Sequence, residues 1–99
     1  MPYRIVYASE TEQHLAGLTA RQRSIVLDCV EKQLTHQPGV ETRNRKPMRE
    51  NPLASWELRI GNIRVYYDII EEAEPGVNVL AIGVKRRERV WIGGKEIKL

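Results

Sequence analysis

Apolar and polar residues alternate along Trp56-Glu57-Leu58-Arg59-Ile60 and again along Ile63-Arg64-Val65-Tyr66-Tyr67, with only Gly61-Asn62 between the two runs. A period of two marks a half-buried β-strand. A two-residue Gly-Asn link between such runs predicts a tight hairpin. That turn sets the pairing: Ile60 opposite Ile63, Arg59 opposite Arg64, Leu58 opposite Val65 and Glu57 opposite Tyr66. Leu58, Ile60, Ile63, Val65, Tyr67 and Ile69 then share one face, which should pack on helices. Glu57, Arg59, Arg64 and Tyr66 share the other.

The flanking chain supplies the rest of the fold. Tyr3-Arg4-Ile5-Val6-Tyr7 reads as a short strand. Ser9 with Glu12 is a capping-box pattern opening a short helix to about Leu18, and Thr19 with Gln22 opens a second, longer one. Ile25, Val26, Cys29, Val30 and Leu34 recur at helical spacing, and Pro38-Gly39 should end that helix. So short a link predicts an antiparallel helical hairpin. Residues 38–55 read as loop. After strands 56–60 and 63–70, the loop from Glu71 to Gly76 leads into a third strand at about 77–84. This strand is apolar on both alternations, as a central strand would be. Gly93-Gly94 breaks the tail, and Ile97 and Leu99 leave room for a short last strand or for docking on the sheet. The predicted order is β-α-α-β-β-β, an α+β fold with a helical hairpin on an antiparallel sheet, forming a single domain over residues 1–99.

Charge changes this picture at one place. Like charges directly opposite on one sheet face are destabilising, so the Arg59/Arg64 apposition needs a compensating partner. An anion such as a phosphate fits an arginine pair. The net charge is +3. Through residue 40, Arg4, Arg21, Arg23 and Lys32 balance Glu10, Glu12, Asp28 and Glu31, so the surplus lies in residues 41–99. Arg43, Arg45, Lys46 and Arg49 crowd the loop before the hairpin, and Lys85-Arg86-Arg87-Glu88-Arg89 follows the third strand. If strand 63–70 lies between the other two, these groups edge one open sheet face together with Arg59 and Arg64. Such a face suits a polyanionic partner. A solvated surface is an equal account of the loop charges, and a Glu57–Arg64 diagonal pair is the plain alternative at the hairpin.

Composition excludes other classes. With 41% hydrophobic and 29% charged residues the chain is globular. Its one cysteine, Cys29, forms no internal disulfide, and no Cys/His spacing suits zinc. No apolar run approaches membrane-spanning length and no secretory leader pattern opens the chain, so the cytoplasm is the expected location. His14 and His36 read as solvent-facing or cap residues. Gly93-Gly94-Lys95 lacks the rest of a phosphate-binding loop, and no nucleophile–base pair is visible. Tyr66 and Trp91 are candidates for stacking on a nucleobase, with packing an equal account of Trp91.

The element order, the segment WELRIGNIRVYYDI and the segment VLAIGVKRRERVW resemble the RelE branch of the RelE/ParE toxin superfamily, over essentially the whole chain. The resemblance implies a ribosome-dependent, metal-independent endoribonuclease without a cofactor, the toxin of a type II toxin–antitoxin pair. Such a protein enters the ribosomal A site and directs the ribose 2′-OH of the mRNA at the adjacent phosphate. It implies phosphate stabilisation by Arg64, a second basic position at Arg59, and a third at Lys85 or Arg86 after the strand-ending glycine. RNA contacts would come from Arg43, Arg45, Lys46, Arg49, Arg87, Arg89, Tyr66 and Trp91. The partners implied are an antitoxin in a hetero-oligomer, the ribosome and mRNA, with no membrane. Glu57 stands where relatives often carry a basic residue, and Trp91 where they often carry a tyrosine or histidine. The alternatives are a ParE-like gyrase poison and a non-catalytic RNA-binding or regulatory relative.

Overall fold

The computed structural model describes residues 2–99. The elements run β1 (Arg4–Tyr7), α1 (Thr11–Ala16), α2 (Ala20–Leu34), β2 (Arg45–Pro47), β3 (Trp56–Ile60), β4 (Ile63–Ile70), β5 (Gly76–Arg86), β6 (Arg89–Ile92) and β7 (Lys95–Ile97). The seven strands form one sheet in the order β2-β3-β4-β5-β6-β7, with β1 added in parallel to β5. Helices on one side of a largely antiparallel sheet make the expected α+β fold.

The β3–β4 hairpin has the register its turn dictates, including Arg59 opposite Arg64. Gly61 takes the left-handed conformation the turn requires, φ 58°. The α2 capping box also forms: the Thr19 side chain accepts from the Gln22 N–H at 3.1 Å and the Gln22 side chain accepts from the Thr19 N–H at 2.9 Å.

Four expectations need correction. Ser9 does not cap α1, because the helix starts one residue later than Ser9 requires; its hydroxyl donates to Glu10 and the N-cap has no side-chain bond. Helix α2 stops at Leu34, where the Thr35 hydroxyl turns back to the Glu31 carbonyl. The supposed loop 38–55 contains β2, an edge strand that tolerates Pro47 because it pairs on one side only. The chain after β5 does not leave the sheet at the basic cluster. It reverses through Arg87-Glu88 and returns as β6, then β7.

Both central residues of that reversal are left-handed, with φ 50° at Arg87 and 63° at Glu88. Each costs about 1–2 kcal/mol for a residue other than glycine.

Two apolar clusters grip the sheet. Val26, Val30 and Leu34 of α2 meet Leu58, Ile63, Val65, Tyr67, Val77, Val79 and Ile82 on the helix side. Ile25, one of the apolar positions at helical spacing, is 43% exposed because it falls off the buried stripe. On the opposite side Ala54, Tyr66, Ala81 and Ile92 form a second cluster with Met48, Leu53, Leu80, Val90 and Ile97. A register shift between Tyr66 and Tyr67 makes both sides apolar. Tyr66 pairs with Ala81 and Tyr67 with Val79, so Leu80 is the extra residue. Before the bulge Val77 and Val79 face the helices; after it Ile82 and Val84 do.

Gly83 lies under β6. A Cβ there would meet Ile92 Cγ1 at 2.8 Å and the Trp91 carbonyl oxygen at 2.9 Å. Gly83→Ala should lower the unfolding free energy by about 2–3 kcal/mol in urea titrations. Gly17→Ala, at φ −76° with no contact under 3.6 Å, should raise it by about 0.4–1 kcal/mol.

Candidate functional site

The opposed arginines are each satisfied within the chain. Arg59 Nε donates to Glu57 Oε1 at 2.8 Å, a residue two along on the same strand face. Arg64 Nη1 donates to the Gly61 carbonyl at 2.7 Å and to that of Ile63 at 3.0 Å. The two guanidiniums therefore turn apart, one to a carboxylate and one to the turn. The diagonal Glu57–Arg64 pair is not the one that forms. The compensation that sequence logic assigns to an anion is supplied within the chain.

Glu57 is the carboxylate inside this cationic surface, with its side chain 14% exposed. Lys46 lies opposite it on β2, and Tyr66 opposite it on β4. Tyr66 is fully buried and its hydroxyl has no hydrogen-bond partner among the described residues. Burial, then the neighbouring Glu57, raise the pKa of that hydroxyl well above its ordinary value.

The face is not open as the sequence suggests. Residues 48–55 fold over it through Asn51, whose Oδ1 accepts from Leu53 and Ala54 N–H at 2.8 and 3.1 Å. This turn lays Met48, Leu53 and Ala54 against Tyr66 and places the ring out of reach of a stacking base. What stays accessible is a groove of 440 Å³ lined by Lys46, Arg49, Glu57, Arg59 and Leu99 among others.

The remaining basic candidates divide. Lys85 follows Gly83, the partner of Arg64, by two residues, so it shares the Arg64 side near the β3–β4 turn. Its backbone N–H donates to the Asn62 carbonyl at 2.7 Å. Arg86 alternates to the helix side, where it pairs with Arg89 across β6. Trp91 also faces that side, opposite Val84. Arg87 is at the hairpin tip. Arg43 is exposed and apart from the groove. Arg45, expected at the surface, is 8% exposed. Its guanidinium donates to the Val40 and Gln33 carbonyls and to Gln33 Oε1 at 2.8–3.0 Å, sealing the end of α2. The side chain shares the face of Leu58, because β2 has a pairing register that a loop assignment lacks.

One residue with a defined task escaped sequence reasoning. His14 Nδ1 accepts from the Ile82 N–H at 3.2 Å. Strand β1 covers β5 only up to Val79 and β6 begins at Gly83, so the imidazole fills the gap between them. Burial lowers its pKa, and Glu10 opposes this more weakly. No short-range signal marks such a role, since the gap depends on where two separate strands end.

Comparison with family models gives no match, and no curated protein matches. Among solved structures, a chain of the toxin–antitoxin complex RelBE2 from Mycobacterium tuberculosis aligns with a TM-score of 0.67. The alignment has 21% identity and covers 86% of this chain and 100% of that one. The fold implied by the resemblance to RelE is therefore the fold observed.

Two outcomes follow from this geometry. His14 is neutral in the fold and its pKa is depressed, so the unfolded chain binds more protons below the ordinary histidine value. Thermal stability should fall as pH drops from about 7 through the histidine range, and His14→Gln should flatten that part of the profile. Tyr66→Phe removes a buried hydroxyl that makes no well-formed hydrogen bond among the described residues and should leave stability unchanged or raise it by about 1 kcal/mol in urea unfolding.

Proposed function

We propose that this chain is the toxin of a type II toxin–antitoxin pair and cleaves mRNA in the ribosomal A site without a metal. The observation that carries the reading is Arg59, Arg64 and Lys85 on one side of a fold shared with a chain of a toxin–antitoxin complex. In the reaction the ribose 2′-OH attacks the adjacent phosphorus and the P–O5′ bond breaks. The products carry a 2′,3′-cyclic phosphate and a 5′-OH. Negative charge builds on the phosphorane oxygens, and guanidinium and ammonium groups stabilise it. Arg64 and Arg59 exchange their resting partners for the phosphate, and Lys85 adds a third positive charge. Release of Arg59 would free the Glu57 carboxylate to accept the 2′-OH proton, and water protonates the departing 5′-oxygen. The groove lined by Lys46, Arg49 and Arg59 carries the flanking RNA backbone. Arg43 belongs to the same electrostatic approach surface. An antitoxin segment bearing acidic residues would satisfy these cations and keep the protein inactive.

A second reading is a relative that binds RNA without cutting it. The pairing of both arginines at rest and the position of Trp91 on the helix side favour it. Induced expression followed by primer extension on cellular mRNA separates the two, with codon-phased cuts expected for the toxin. Arg64→Ala should reduce those cuts by about 100-fold or more while far-UV circular dichroism stays unchanged. Growth arrest with DNA breaks and intact mRNA would replace the proposal with gyrase poisoning.

A further inference from the structure

We infer that Tyr66 is a positioning residue for the proposed cleavage: when Arg59 leaves Glu57, the Tyr66 hydroxyl holds that carboxylate toward the reacting 2′-OH. The kinetic part of this inference rests on the proposed function; the contact between the two side chains does not.

Strand register brings the two side chains together. Glu57 and Tyr66 are directly opposed on β3 and β4, so they project from the same side of the sheet. The Tyr66 ring is fixed in place. It is fully buried among Ala54, Ala81 and Ile92, and Ala81 is its partner on β5. Glu57 is less confined, because its side chain lines the groove with Lys46, Arg49 and Arg59. A rigid ring that carries a donor can orient a carboxylate whose own torsions are free.

The hydroxyl has no other task in the fold. Tyr66 and Tyr67 are both fully buried. Tyr67 donates to the Pro38 carbonyl at 2.8 Å. Tyr66 makes no well-formed hydrogen bond among the described residues, and Glu57 is the acceptor beside it. A buried donor next to a carboxylate closes that bond once a competing donor is gone.

The competing donor is Arg59, whose Nε holds Glu57 Oε1 at 2.8 Å. Two other cations near the carboxylate are engaged elsewhere. Lys46, opposite Glu57 on β2, pairs with Glu41 at 3.2 Å. Arg64 is held by the turn carbonyls. When Arg59 turns to a phosphate, Tyr66 is therefore the donor left at the carboxylate. A neutral donor suits that moment, since a cation would stabilise the ionised carboxylate more strongly and weaken it as a base. The 2′-OH proton passes to Glu57 and the phenol keeps its own. Burial, then Glu57, raise the pKa of the phenol, so it stays protonated and acts only as a donor. Met48, Leu53 and Ala54 pack against the ring, so Tyr66 acts through Glu57 and not on the substrate.

The test follows cleavage of a labelled mRNA on ribosomes with an empty A site, under single-turnover conditions. Tyr66→Phe keeps the ring and removes the donor. It should slow the cleavage step about tenfold and leave the protein concentration for half-maximal rate unchanged. Glu57→Gln should slow the step about 100-fold, and adding Tyr66→Phe to that variant should change nothing further. A loss caused only by disturbed packing would add to the Glu57→Gln loss. A second measurement needs no activity. In Arg59→Ala protein, the carboxyl-carbon NMR signal of Glu57 should move when Tyr66 is also changed to Phe, while far-UV circular dichroism stays the same. Cutting by Tyr66→Phe at the wild-type rate, full cutting by Glu57→Gln, additive losses in the double variant, or coincident carboxyl signals would each overturn the inference and leave cleavage standing. Wild-type protein that cuts no mRNA would instead remove the proposed function, and the carboxyl signal would then uphold or overturn the contact by itself.

Discussion

Strand β5 is hydrogen-bonded along one edge by β4 and along the other by two strands that do not meet. Every buried peptide group needs a partner, and the fold is arranged around meeting that demand. The N-terminal part of the second edge takes β1 in parallel, and the C-terminal part takes β6. The interval between them leaves the Ile82 N–H to His14, which ties α1 to the sheet. The bulge at Leu80 lies in the same interval and switches which residues face the helices. Val79 and Ile82 can both be core residues only because one extra residue separates their alternations. That switch also brings Ala81 and Gly83 onto the side of Tyr66 and Arg64. The close approach of Ile92 to Gly83 then makes β6 part of the site's support.

Electrostatics on this framework differ from what pairing alone suggests. Two guanidiniums opposite each other repel, but each is long enough to turn toward a local acceptor. Arg59 finds a carboxylate on its own strand and Arg64 the carbonyls of the turn it follows. The pair is therefore preset rather than strained. Any anion that displaced these contacts would gain only the difference between its own contacts and those it breaks. The Tyr66 hydroxyl beneath the pair is buried and makes no well-formed hydrogen bond among the described residues, with the Glu57 carboxylate as the neighbouring acceptor that raises its pKa.

Much of this was legible in the chain because the signals are local. Gly61-Asn62 permits one register, and that register places Arg59 against Arg64. Thr19 and Gln22 start α2 because both halves of the capping box lie within one turn. The missing parts depend on distant residues. Strand β2 is short and contains Pro47, so nothing in its own sequence distinguishes it from loop; only its pairing with β3 makes it a strand. The same pairing turns Arg45 inward. Strand β6 was hidden because Arg87-Glu88 lacks the glycine or asparagine that announces a tight turn. The basic run therefore read as one cluster, although alternation sends Lys85 and Arg86 to opposite sides of the sheet.

This division constrains any account of how a polyanion meets the protein. A strand of RNA lying on one sheet face reaches Arg64 and Lys85 but not Arg86 or Trp91. To use both sets it must turn around the β5–β6 tip, where Arg87 sits at the crossing. A tip built from Asn-Gly would be more stable and would carry no charge at that crossing. The strained Arg87-Glu88 turn, the side chains of Arg86 and Arg87, which have no ion pair among the described residues, and the cavity beside Trp91 all occur within a few residues of each other. Each departs from what stability alone would choose.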